Sequence, residues 1–214
     1  MNHLHLLNAG EQFSPELAVR LRAVVEKALA RFATELDLDG VDVVLMSSTF
    51  TLPETGVHGY APNAHQVDLS VTPGSPAFQR LWLTEVPATL AHELHHVRRW
   101  RGPGYGKTLL EALVSEGLAQ HFEAGYRGES PIYAQPTMDL AALWERAQPQ
   151  LSAPHDHAAW FFGSPAQDFP RWGGYALGYE LVRRFFAAQG GDAVSHANTP
   201  ASAFEGAWWV SCLT

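Results

Sequence analysis

The 214-residue sequence contains a single cysteine, Cys212, and only two lysines, Lys27 and Lys107. One cysteine excludes an intramolecular disulfide, which fits a reducing compartment or indifference to redox. It equally excludes a cysteine-rich structural zinc site, so a metal here must be held by histidine and carboxylate. Basic charge is scarce as well: 14 Lys and Arg stand against 22 Asp and Glu, for a formal net charge of −8. That deficit argues against a nucleic-acid binder, which normally turns a basic face to the phosphates. No uninterrupted apolar stretch approaches the roughly 18 residues of a transmembrane helix, so no membrane span is expected. The opening MNHLHLLNAGEQ lacks a basic n-region and a long apolar run; no secretory signal is expected, and the reading is a cytoplasmic chain. Internal repeats, low-complexity tracts and linkers are missing too, which predicts one domain over residues 1–214. What the sequence does have is a 46% hydrophobic content, enough for a sizeable core, and 11 histidines. Histidine is the commonest metal ligand and the acid–base group of neutral pH, so the placement of those residues matters.

Ser14-Pro15-Glu16 reads as a helix start, with Ser14 as the cap and Pro15 in the first turn. Leu17, Leu21, Val24, Val25, Ala28 and Phe32 follow at helical spacing and carry the helix to about Leu36. Asp39-Gly40 marks a turn, and the β-branched run 41–47 reads as a strand. Pro53 to Asn63 is a stretch punctuated by glycine and proline, with Gly56 to Gly59 as a candidate mobile rim. In 65–71, Val67, Leu69 and Val71 alternate with polar residues, which predicts a half-buried strand near a sheet edge. Such an edge could hold an extended peptide by main-chain hydrogen bonds. From Ser75 onward the pattern is helical, with expected segments 76–83, 85–100, 108–125, 138–148, 154–162, 174–189 and 200–209. A small sheet followed by a run of helices is an α+β arrangement.

The chemistry concentrates in Ala91-His92-Glu93-Leu94-His95-His96, an H-E-x-x-H motif within an expected helix. Residues four apart lie one above the other, so His92 and His96 project from one face and can reach a single Zn²⁺. Glu93 is turned about 100° from His92, where it can take a proton from a metal-activated water. Val86, Leu90, Leu94 and Val97 supply an apolar stripe, and Thr84 as cap would put Pro87 in the first turn. The motif alone also fits a helix with solvated His and Glu. A second helix adds weight. Thr108 and Glu111 form a capping box, and Leu110, Leu113, Val114, Leu118 and Phe122 form its buried stripe. Glu116 falls near that stripe, and a nearly buried carboxylate is costly unless paired or bound to metal. The short connection Arg101 to Lys107 would return this helix against the first. His92, His96 and Glu116 are then three protein ligands to one zinc per chain, with a fourth position open to water.

His92-Glu93-Leu94-His95-His96, followed twenty residues after His96 by Ser115-Glu116-Gly117-Leu118-Ala119, resembles the gluzincin metallopeptidases. More narrowly, T-L-L-E-A-L-V-S-E-G-L-A after H-E-L-H-H, with W-G-G-Y-A-L-G-Y downstream, resembles a bacterial family of predicted zinc-dependent proteases. The resemblance implies a mostly helical zincin-like domain with a small N-terminal mixed sheet and an active-site helix carrying the motif. It also implies zinc on His92, His96 and Glu116, Glu93 as general base, and a peptide or protein substrate. Two departures set aside an aminopeptidase assignment: the His-to-Glu spacing is longer than in that branch, and no G-x-M-E-N-like segment is present.

An amide hydrolase needs a donor to the oxyanion of its tetrahedral intermediate. Tyr175 and Tyr179, four apart after Gly173-Gly174, are the candidates, with Tyr175 favoured because the glycines let the backbone approach; both could equally be packing residues. His95 reads as a neighbour of the ligands or a surface residue, and His121 as a satisfied core histidine. His155-Asp156-His157 reads as a solvated loop rather than a second metal site, and the same reading covers His3, His5, His58, His65 and His196. Gln120, four beyond Glu116, could hydrogen-bond a ligand. The same residues would also serve a hydrolase of non-peptide amides or esters, or a non-catalytic zinc-binding domain.

Overall fold

A computed structural model of the chain describes residues 1–135 and 138–209; Cys212 and Val210 lie outside the described residues. The chain divides into two compact units, Met1–Arg101 and Gly102–Thr214.

The first unit holds β1 (His3–Leu7), α1 (Pro15–Glu35), β2 (Asp42–Ser47), β3 (Val57–Asn63), β4 (Gln66–Val71) and α2 (Pro76–Trp100). Helix α1 begins as its sequence dictates: the Ser14 side chain accepts a hydrogen bond from the Leu17 N–H at 3.2 Å. The strands make one mixed sheet in the order β1-β2-β4-β3. β1, β2 and β4 run parallel, and β3 is antiparallel to β4. The β2–β4 register sets Val43 beside Val67 and Leu45 beside Leu69. All four are fully buried, together with Val71, on the same face. At about 1.5–3 kcal/mol per buried aliphatic side chain, this layer fixes the register, because a slip of one residue would turn every one of them to the other face.

Three expectations need correction. Strand β4 is not at an edge: β2 flanks it on one side and β3 on the other. The edge on that side belongs to β3, which among the described residues pairs with β4 alone, as β1 on the other side pairs with β2 alone; β3 grows out of the stretch expected to be irregular. Pro62 hid it. A proline cannot donate to a ladder, and the β3–β4 register slips between Tyr60 and Asn63, where Pro62 is accommodated. Lastly, 76–83 and 85–100 are one continuous helix, α2, with Pro87 in its interior rather than its first turn. An interior proline costs about 3 kcal/mol. The offset comes from buried side chains on both sides of it, Phe78 and Trp82 before and Leu90, Leu94 and Val97 after.

The second unit is helical: α3 (Leu109–Arg127), α4 (Leu140–Ala147) and α5 (Gly173–Gln189), with single helical turns in the longer connection from α4 to α5. The segment expected at 154–162 shrinks to a single wide turn, Ala158–Phe162, whereas the one expected at 200–209 is helical over Ala201–Trp209, wound more tightly than an α-helix. Of the aromatic residues there, Trp208 stacks on Trp144 at 4.6 Å and is buried, whereas Trp209 is exposed. Helix α3 has the predicted capping box between Thr108 and Glu111. It meets α5 backbone to backbone: a Cβ added to Gly117 would lie 2.2 Å from the Gly178 carbonyl oxygen, and one on Gly178 would lie 2.4 Å from the Leu113 carbonyl oxygen. Only glycine fits at either position. Among the described residues no helix is long and apolar enough to cross a membrane.

Gly178→Ala is therefore expected to wedge α3 and α5 apart and to lower stability by about 1–3 kcal/mol in urea unfolding. Gly125→Ala, also in α3 but with nothing near its Cβ position, should raise it by about 0.5–1 kcal/mol.

Candidate metal centre

Helix α2 buries His92 and His96 one turn apart, with their Nε2 atoms 3.0 Å from each other and ring centroids 4.8 Å apart. Two nitrogens bound at about 2.05 Å to one tetrahedral ion would be roughly 3.3 Å apart, so the pair already has nearly the separation that zinc requires. The stripe of Val86, Leu90, Leu94 and Val97 is fully buried and sets the rotation of the helix that produces this arrangement. His95 is fully buried too, which removes the reading of it as a surface residue.

Glu93 is buried against the edge strand. A Cβ on Gly59 of β3 would lie 2.5 Å from the Glu93 Cγ, 2.6 Å from its Oε1 and 2.6 Å from the Thr89 Cγ2. At Gly59 strand and helix are in close contact, and its missing side chain makes the space that the Glu93 carboxylate occupies. A glycine inside a strand often marks such an approach.

Glu116 is buried on α3. Its Oε1 accepts a hydrogen bond from the Tyr105 hydroxyl at 2.6 Å. Tyr105 belongs to no motif, and its one signal in the sequence is its position between two glycines. The next turn of α3 back toward its start is occupied by Glu111, whose Oε2 accepts from the Lys107 N–H at 2.8 Å and the Thr108 N–H at 2.9 Å. Glu111 is accordingly a cap, as its spacing predicts.

His92, His96 and Glu116 each offer one ligand atom, and these atoms lie within 4.8 Å of one another, all three residues being buried. Two imidazole nitrogens and a carboxylate oxygen suit a zinc ion with one coordination position left for water. Among the described residues no other group of three His, Cys, Asp or Glu comes together in this way.

The other candidates have other surroundings. Tyr179 stacks flat on His121, centroids 4.0 Å apart at an interplanar angle of 6°, and burial raises its pKa above the ordinary phenol value. The ring of Tyr175 stands 5.0 Å from Phe161 and 5.1 Å from Tyr133, in an aromatic cluster. Gln120 donates to the Tyr175 carbonyl at 3.1 Å, tying α3 to α5. His155 and His157 are half-buried rather than solvated, and His157 stacks on Phe161 at 4.4 Å. His5 bonds Asp42, His58 packs on Phe50, and His65 and His196 bond main-chain carbonyls.

A buried His-His-Glu group that could hold one metal ion is carried by an α+β chain. The chain belongs to the family described as Predicted Zn-dependent protease (DUF2268), which matches residues 21–205 and so takes in both α2 and α3. No curated protein matches the sequence.

His121 gives this region a pH dependence. Burial holds its imidazole below the ordinary value of 6.5, despite the bond from its Nε2 to the Tyr179 carbonyl. The unfolded chain therefore takes up this proton first as pH falls. Stability from the neutral ring is complete above the unfolded value and is lost as pH drops through it toward the lower folded one. The urea midpoint should fall between about pH 7.5 and 5, and His121→Phe should make that fall shallower.

Proposed function

We propose that the protein is a gluzincin-type zinc metallopeptidase that hydrolyses peptide bonds, with one zinc per chain. The observation that carries this is the buried group of His92, His96 and Glu116, with Glu93 one residue beyond the first ligand on the same helix. Bound there, zinc supplies Lewis acidity toward a carbonyl and a water acidic enough to react near neutral pH. Glu93 accepts the proton from the attacking water and hands it to the departing amine. Its burial beside Gly59 keeps the carboxylate in one place between those two transfers. Tyr175 and Tyr179 are the proposed donors to the developing oxyanion. Tyr175 is preferred because Gly173 and Gly174 let the backbone before it come close to the site. The edge of β3 opposite β4 offers main-chain groups to an extended peptide, and Gly59 brings that strand to the general base. This assigns to β3 the substrate role first expected of 65–71.

The test is zinc stoichiometry together with cleavage of a mixed peptide library. Native chain and Glu93→Gln should each hold one zinc, and only the native chain should cleave. His96→Ala and Glu116→Ala should lose the metal. Zinc without cleavage of peptides, simple amides or esters would identify a binding domain, and a native chain that takes up no zinc would overturn the reading altogether. Gly59→Ala should keep zinc yet lower kcat by about 100-fold, the usual scale for a catalytic group displaced by an ångström.

A further inference from the structure

We propose that Tyr105 is a positioning residue for the third metal ligand, its hydroxyl holding the Glu116 carboxylate in its ligating place. This rests on the zinc reading above. Four observations within the second unit carry it.

The contact itself is short, 2.6 Å from the Tyr105 hydroxyl to Glu116 Oε1. That lies in the range of a charge-assisted O–H to carboxylate bond, about twice as strong as a neutral one. The loop that delivers the hydroxyl is wound tightly on the start of α3. Gly104 and Gly106 flank Tyr105 with φ of +85° and +102°, conformations that other residues rarely adopt. A Cβ on Gly106 would lie 2.1 Å from the Glu111 Cβ, so the loop touches the helix directly at this point. The main chain of Tyr105 is pinned as well: its carbonyl accepts from the hydroxyl of the fully buried Ser115 at 2.8 Å.

Tyr105 is thus tied to α3 at both ends, by its carbonyl to Ser115 and by its hydroxyl to Glu116, the next residue. This does two things for the carboxylate. It supplies a donor in place of lost water, without which burial would be costly. It also restricts a side chain that would otherwise sample several rotamers, so that less ordering remains to be done when metal binds. Hydrogen bonds behind metal ligands commonly contribute 10–100-fold in affinity.

Tyr105→Phe keeps the ring and removes only the donor. Zinc affinity of the full chain is measured by competition with a chromogenic chelator, and the visible spectrum of the Co²⁺-loaded protein reports ligand geometry. The variant should bind zinc about 10–100-fold more weakly and show an altered Co²⁺ spectrum. Leu21→Ala, which removes only core packing from α1, should lose stability while keeping native affinity and spectrum. If Tyr105→Phe does not fold, Ser115→Ala loosens the same loop with the phenol retained, and a weaker affinity is again expected. Native zinc affinity in whichever of the two variants folds would overturn the proposal and leave the metal site standing. A native chain without zinc affinity would instead remove the site, and the proposal with it.

Discussion

A carboxylate among leucines must find replacements for its lost water, and Glu116 lives under that constraint. It is buried on a helix whose neighbouring positions, Leu113, Val114 and Leu118, are fully buried as well. An ionised group in such a place is tolerated only when paired, hydrogen-bonded or bound to a cation. The Tyr105 hydroxyl supplies one partner. Ligand atoms of two imidazoles lie within 4.8 Å of the same carboxylate, a group that could hold a metal ion. A hydrophobic residue at 116 would need no such partner and would offer no atom to the proposed metal.

Close backbone approach is how the fold meets the demand for fixed geometry. Gly117 and Gly178 let α3 and α5 touch without side chains between them, and Gly106 does the same for the loop carrying Tyr105. Gly59 performs the equivalent service in the first unit, for β3 and the Glu93 carboxylate. In each case a methyl group would fall within 2.1–2.5 Å of its nearest neighbour, which interiors at crystal-like density cannot absorb without shifting the element. All four of these glycines lie beside or next to a residue assigned to the site. The same contacts that hold the helices in register therefore hold the chemistry in register.

The sheet has a comparable logic. Its buried face is a continuous aliphatic layer, and α2 is long because both of its halves have apolar residues to bury. That shared burial is why a proline in the helix interior is tolerated, and why an antiparallel strand containing a proline survives at the edge. Irregularity is placed where one side of the strand has no ladder to break.

Much of this was readable along the chain. The pairing of His92 with His96, the cap at Ser14, the Thr108–Glu111 box and the alternation of Val67, Leu69 and Val71 all follow from local periodicity. A helix repeats every 3.6 residues and a strand every two, whatever surrounds them. Glu116 was legible as well, since its place near an apolar stripe is a property of α3 alone. Only the tertiary structure decided that β3 exists and forms the edge, that Gly59 rather than a flexible rim faces Glu93, that α2 runs unbroken through Pro87, and that Tyr105 reaches Glu116. Those outcomes depend on which surfaces meet when distant segments fold together. Neither spacing nor composition records which atoms will be left 2.6 Å apart.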